Sequence, residues 1–157
     1  MNLNFRGYSL PYADALSALL PKLRRLAAAL MGSPKAPADD LVLRAIHQIL
    51  REAPLESEDR LKLALQAALT RLAQGRPLPE ADPGLEKALQ DLPTGHRAAL
   101  VLVCVERCSY AQAAQVLGIS RNVLIGRLAS ARQLMARQMQ EETTGSRHGA
   151  PFLRLVK

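Results

Sequence analysis

Arg121 and Asn122 are neighbouring side chains whose types suit the reading of a nucleic acid. Arginine pairs well with guanine, and asparagine with adenine, on the base edges that the DNA major groove presents. The pair lies in a stretch from Arg107 through Gln140 that has no acidic residue, and residues 107–157 carry a net charge of +6. Such a basic field attracts phosphate groups, although a soluble basic surface without a ligand is the other interpretation of the same charge.

The residues around this pair have the pattern of two helices joined by a tight turn. Ser109 and Gln112 have capping-box spacing at the start of the first helix. Gly118 tolerates the positive φ that a turn requires, and Ser120 can cap the second helix. The apolar residues of the motif are Ala113, Ala114, Val116, Leu117 and Ile119. The pattern predicts a helix-turn-helix, whose second helix usually enters a DNA major groove.

Other kinds of chemistry find little support in the sequence. It shows no set of nucleophile, base and acid, no glycine-rich phosphate loop and no carboxylate pair on an apolar face, so we do not expect an enzyme. Cys104 and Cys108 are one helical turn apart on an apolar stretch, which favours buried free thiols. No histidine stands at ligand spacing from them, so neither a metal nor another cofactor is expected. No apolar run approaches the ~20 residues that span a bilayer and no signal-peptide pattern begins the chain, which predicts a cytoplasmic protein.

The composition predicts an all-α protein with two small domains. Leu and Ala dominate the apolar residues, and no strand-like alternation occurs. Residues 75–84 contain three prolines and two glycines, which a helix does not accommodate, so we expect a linker there. The linker separates helical domains at 1–74 and 85–141, and 142–157 is expected to be a flexible tail. Because each half is small for a core of its own, we expect the halves to pack on each other.

Apolar residues at helical spacing place the helices within these domains. A first short helix is expected to end before Pro21, which suits the first turn of a second helix that stops near Gly32. A third helix has Asp39 and Asp40 at its start, where negative charge complements the helix dipole, and Ser57 caps a fourth. In the second half, we predict a helix over 85–92, a buried apolar helix over 98–105, and a motif helix that runs to about Met139.

Five stretches of the chain carry a family resemblance. Leu92-Pro93, residues 97–102 and residues 109–132 resemble region 4 of bacterial sigma factors of the extracytoplasmic-function group, which reads the upstream promoter element. Residues 20–30 and 38–42 are similar to region 2, which contacts RNA polymerase and melts the downstream element. The resemblance implies promoter DNA and core RNA polymerase as partners, with an anti-sigma factor as a further candidate.

The chain departs from the sigma-factor pattern in both halves. No aromatic residue lies between Tyr12 and Tyr110, whereas capture of unstacked bases commonly uses aromatic stacking worth roughly 1–3 kcal/mol per base. Val123, Ile125 and Gly126 replace polar or basic residues of the family's recognition helix. Loss of a lysine at position 125 removes a phosphate contact, and the apolar side chains are expected to form an exposed patch typical of a protein interface.

Two functions therefore remain open, besides a plain helix-turn-helix regulator. The first is a sigma factor, and the second is a mimic that resembles the sigma-like domain of general-stress response regulators and binds an anti-sigma factor without touching DNA. DNA contacts are predicted for Arg121, Asn122, Arg127, Arg132 and Arg107. A polymerase or anti-sigma interface is predicted for Arg24, Arg25, Asp39, Asp40, Leu43, Arg44, Val123 and Ile125. At Leu43 and Arg44 the family usually has a polar pair that contacts polymerase.

Overall fold

The computed structural model describes residues 12–33, 38–52 and 57–147, and within these ranges the protein is helical with no strand. The predicted all-α class is confirmed. The helices in chain order are α1 (Ala13–Leu30), α2 (Ala38–Arg51), α3 (Glu58–Ala73), α4 (Leu85–Gln90), α5 (Thr94–Leu100), α6 (Tyr110–Leu117) and α7 (Arg121–Arg147). None of the described helices is long and apolar enough to cross a membrane.

Helix α1 is continuous through Pro21, so the prediction of two helices divided at this proline was wrong. An interior proline removes a backbone hydrogen bond and costs about 3 kcal/mol. Packing offsets this cost because Leu16 and Leu23 lie two turns apart on the same helix face, and both are buried. Pro21 itself is exposed, so its ring does not disturb the core.

Helices α1, α2 and α3 form a three-helix bundle in the first half. Each of the three packs on the other two, and the predicted Ser57 cap is present, with the Ser57 Oγ accepting a hydrogen bond from the Arg60 N–H at 3.3 Å. The largest fully buried side chains of the bundle are leucines: Leu16, Leu23, Leu26, Leu41, Leu61, Leu65 and Leu69. Close leucine packing of this kind fixes the outer faces of α1 and α2 relative to each other.

Helix α5 continues into a π-helical turn over Val101–Val105, where the Glu106 N–H donates to the Val101 carbonyl at 3.1 Å. The wider turn rotates the last part of the apolar stretch outward. Leu102 is buried, but Cys104 is exposed and Cys108 lies beyond the helix in a buried position. The prediction of two buried thiols on one helix was therefore wrong for Cys104.

The two thiols are expected to react at very different rates. Cys104 is exposed, whereas burial raises the pKa of the Cys108 thiol and keeps reagents away from it. Because the thiolate is the reactive form, we expect Cys104 to react with an aromatic disulfide reagent at least about tenfold faster than Cys108. Cys104→Ser should remove the fast phase and Cys108→Ser the slow phase. Two equal rates in the native protein would contradict the placement of Cys108.

The two halves share one hydrophobic core, as their small size predicted. Helix α3 packs against α6, and α1 packs against the π-helical turn. At the boundary the Gln66 amide lies 3.8 Å from the Cys108 sulfur, a weak polar contact in an otherwise apolar interface. Residues 76–82 between the halves are non-helical, as expected, but they are fastened to the first half because Arg76 pairs with Asp40 at 2.6 Å.

Helix α7 extends through Arg147, beyond the boundary at residue 141 that the sequence suggested. Two contacts hold it beside α4. The Gln138 amide donates to Asp91 at 3.2 Å, and the Glu142 carboxylate accepts from the Gly84 N–H at 3.2 Å. The contacts also show that α7 and α4 run antiparallel, because the later residue of α7 meets the start of α4.

Candidate nucleic-acid interface

The helix-turn-helix has the local geometry that its sequence predicted. The Gln112 N–H donates to the Ser109 Oγ at 3.1 Å, and the Ser109 N–H donates to the Gln112 side chain at 3.0 Å, which completes the capping box. Gly118 has a left-handed φ of 63°, and the Val123 N–H donates to the Ser120 Oγ at 3.3 Å. These bonds satisfy the backbone at both helix starts and fix the angle at which α7 leaves the turn.

Arg121 and Asn122 are exposed in the first turn of α7. The opposite side of the helix anchors it, because Leu124 and Leu128 are buried against α5 and α6. Arg132 is also exposed and lies on the same face as Arg121, since eleven residues are about three helical turns. Three of the five predicted DNA contacts therefore belong to the solvent-facing side of α7.

Arg127 lies on a different flank of α7 and packs on the first turn of α5. A Cβ atom added to Gly95 would lie only 2.8 Å from the Arg127 Nη1, so glycine at this position leaves the space that the guanidinium occupies. Residues 121 and 127 are about 120° apart around the helix. Arg127 is thus partly buried on the side of the motif and does not form one cluster with Arg121.

Val123 and Ile125 are exposed, at 47% and 43% of their surface. Residues two apart on a helix point about 200° away from each other. The two side chains consequently lie on opposite flanks of α7, and the single apolar patch expected from the sequence does not form. Ile125 shares the face of Arg121, whereas Val123 shares the flank of Arg127.

Arg107 is placed apart from the other predicted DNA contacts. It precedes α6 with a φ of 53°, a left-handed conformation that is uncommon outside glycine. Its neighbours line a depression between the halves and are Lys22 and Arg25 of α1 and Lys62 of α3, with Glu106 among them. Sequence reasoning grouped Arg107 with α7 because both are basic, but the fold assigns it to the boundary between the domains.

A second surface unites four of the residues predicted to bind a protein. Arg24, Arg25, Asp39 and Asp40 line an open groove of about 780 Å³ between α1, the start of α2, and α4. The other lining residues are Ala28, Ala29, Gly32, Ser33, Ala38, Leu85, Glu86 and Leu89. Leu43 is half-buried on α2 and Arg44 is exposed, and neither lines the groove.

The charged residues at the groove are mostly paired. Arg24 binds Asp39 at 2.7 Å, and Arg25 reaches Glu106 at 3.6 Å across the domain boundary. The hydrogen bond from Arg76, with a further one from Arg44, holds the pKa of Asp40 below its usual value. Glu86 differs, because its Oε2 is buried and has no hydrogen-bond partner among the described residues.

Sequence reasoning missed Leu85, Glu86 and Leu89 as site residues. They belong to α4, about 50 residues after the α1 and α2 residues that face them, so no local spacing indicates the groove. The hydrogen bond that holds α4 against α1 is also long-range. The Gln90 amide donates to the Met31 carbonyl at 3.5 Å, and the Gln90 side chain lies next to Gly32. Among the described residues no group of histidine, cysteine and carboxylate side chains is placed to hold a metal ion.

The described residues thus form two packed helical halves with an exposed helix-turn-helix. Residues 84–135 match the family described as Sigma-70, region 4. The chain is also similar to the sigma factor RpoE from Bartonella quintana, whose structure was solved in complex with the anti-sigma factor NepR. This similarity has a TM-score of 0.62 and 22% identity, and it covers 83% of this chain and 97% of that one. No curated protein matches the sequence.

The predicted resemblance to sigma factors is confirmed for region 4 by the family match, and for the fold by the structural similarity. The residues that match region 4 include α4 to α6 and the first part of α7, and over the part of the chain that the structural similarity covers the fold is similar to that of a sigma factor.

Proposed function

We propose that the protein acts in the cytoplasm as a transcription initiation factor that binds promoter DNA through α6 and α7 and RNA polymerase through α1 and α2. The observation that carries the proposal is the first turn of α7. It presents Arg121 and Asn122 to solvent from a rigid turn, on a helix with no acidic residue before Glu141. Exposed arginine and asparagine at the start of a recognition helix are suited to base edges.

The remaining exposed groups of the motif fit a DNA backbone. Arg132 lies on the same face as Arg121, about 17 Å farther along α7 at 1.5 Å per residue. Exposed polar side chains of α6, including Gln112 and Gln115, border the same motif. Contacts of this kind to phosphates position a protein on DNA, while base contacts give specificity. We therefore assign Arg121 and Asn122 to base reading and Arg132 to phosphate binding.

The groove is the proposed polymerase surface. Its charged rim and apolar floor are built by α1 and α2, the helices similar to region 2, and Leu85 on its wall is 64% exposed. A large apolar side chain exposed beside paired charges is typical of a protein-binding site.

A capture experiment and a DNA selection together test the proposal. The tagged protein is recovered from its own cell lysate after nuclease treatment, and bound proteins are identified by mass spectrometry. We expect core RNA polymerase subunits as the main partners. In parallel, the purified protein with core polymerase should enrich one sequence from a pool of randomised duplexes. Recovery of no polymerase and no enriched sequence would contradict the proposal.

The second candidate function is that of a sigma mimic that binds an anti-sigma factor. The observation that favours it is the absence of any aromatic residue between Tyr12 and Tyr110, because the capture of melted DNA commonly uses aromatic stacking. The similar RpoE structure contains an anti-sigma factor. Recovery of one small partner protein without polymerase in the capture experiment would support this alternative.

A lysine restored at position 125 should strengthen DNA binding. Ile125 shares the face of Arg121, so Ile125→Lys places a charge beside the proposed phosphate path. One added phosphate contact should steepen the salt dependence of the logarithm of the binding constant by about 0.9. Leu134→Lys is the matched control, because residue 134 is about 180° from residue 125 around α7 and is also exposed. Equal slopes for the two variants, measured by fluorescence anisotropy across salt concentrations, would exclude the assigned DNA face.

A further inference from the structure

The groove between α1, α2 and α4 has features that indicate the binding of a further polypeptide segment. Its floor and wall are apolar, with Ala28, Ala29 and Leu89 beside the 64% exposed Leu85. The buried Glu86 Oε2 lacks a hydrogen-bond partner in the described part of the chain. A buried carboxylate oxygen without a donor is costly. A segment with apolar side chains and a cationic donor would cover the apolar surface and supply a hydrogen bond to Glu86.

The end of the chain has this composition. Residues 148–157 contain Phe152, Leu153, Leu155 and Val156 together with Arg154 and Lys157, and no acidic residue. The two arginines at the groove are already paired with Asp39 and Glu106, so Glu86 is the acidic group left for a basic segment to bind. Charge and apolarity of the segment therefore complement those of the groove.

The place where α7 ends makes the groove reachable. Glu142 is bonded to the Gly84 N–H, one residue before Leu85 of the groove wall. The described part of α7 runs to Arg147, about 8 Å farther along its axis. The ten residues that follow can span up to about 33 Å when extended. Residues 1–11 adjoin the other end of α1, about 18 Å from Arg24 at 1.5 Å per residue, and carry one basic residue against the two in residues 148–157.

We propose that residues 148–157 dock in this groove, with Phe152 and Leu155 on its apolar floor and Arg154 on Glu86. The docked segment then covers the surface assigned above to polymerase, so the chain occludes its own partner site. The occlusion rests on the proposed function, whereas the docking does not.

Photo-crosslinking in the full-length protein tests the docking. With p-benzoylphenylalanine in place of Phe152, we expect crosslinks within one chain to residues 24–33 or 85–89, identified by mass spectrometry. Leu85→Asp should lower the yield of these crosslinks about tenfold. The control Leu134→Asp, at an exposed leucine away from the groove, should not change it. Crosslinks to other surfaces, or only between two copies of the chain, would overturn the proposal, as would crosslinks from a probe at Phe5 that reach the groove in their place.

Polymerase binding tests the occlusion. Deletion of residues 148–157 should increase the affinity for core polymerase several-fold. Leu85→Asp in the full-length chain should not reproduce this gain, because Leu85 belongs to the proposed polymerase surface as well. Crosslinks in the groove with an unchanged affinity after the deletion would overturn the occlusion. Failure of both the full-length and the shortened chain to bind polymerase would overturn the proposed function, and the crosslinks alone would then decide the docking.

Discussion

Leu124→Ala is expected to lower the free energy of unfolding by about 2–5 kcal/mol. Leu124 is fully buried at the point where α7 packs on α5 and α6, and its removal leaves a cavity there. Because one core joins both halves, the loss should appear as a shift of the whole unfolding transition. Urea denaturation followed by circular dichroism at the helix band measures it.

Leu134→Ala provides a matched control on the same helix. Leu134 is 37% exposed, so the same chemical change should cost less than about 1 kcal/mol. Equal losses for the two variants would show that Leu124 is not an anchor of the motif. A separate early transition in the Leu124→Ala variant, with the remaining helices unfolding as in the native protein, would contradict the shared core.

Arg121→Ala is expected to weaken specific DNA binding by about 1–3 kcal/mol, which corresponds to a loss of affinity between about fivefold and 150-fold. Arg121 is exposed in the first turn of α7, where a recognition helix approaches base edges. Loss of a base contact should also relax the preference at one position of the enriched sequence. Repeating the selection from randomised duplexes with the variant and polymerase measures both effects.

Arg137→Ala is the control for charge alone. Arg137 is exposed on α7 but is about 160° around the helix from Arg121. Its removal should weaken binding slightly and by the same factor for all sequences. If Arg121→Ala also reduces affinity uniformly, with no base preference relaxed, Arg121 binds phosphate and the base reading belongs to other residues.

The sequence predicted those parts of the site that depend on residues close together in the chain. The capping box of Ser109 and Gln112, the left-handed Gly118 and the Ser120 cap each depend on residues within four positions of one another. The apolar spacing that buries Leu124 and Leu128 is also local. For this reason the helix-turn-helix and the exposure of Arg121 followed from the sequence, as did the all-α class.

The rest depended on contacts between distant residues. Pro21 is tolerated because packing on both sides of it outweighs a local preference, which a sequence pattern does not show. The π-helical turn that exposes Cys104 packs against α1 and α6. Arg107 and the groove are defined by which helices face each other. Predictions based on charge alone therefore grouped Arg107 with α7, whereas the fold places it at the boundary between the halves.

The short connection between α3 and α4 limits how far the two halves can separate. Eleven residues, 74–84, join the helices. Fully extended, they reach about 36–40 Å, which equals roughly eleven base pairs of duplex at 3.4 Å each. Release of Arg76 from Asp40 would free this tether without breaking any helix. If each half binds its own DNA element, the length of this connection sets the maximum spacing between the two elements. A longer connection would increase that maximum.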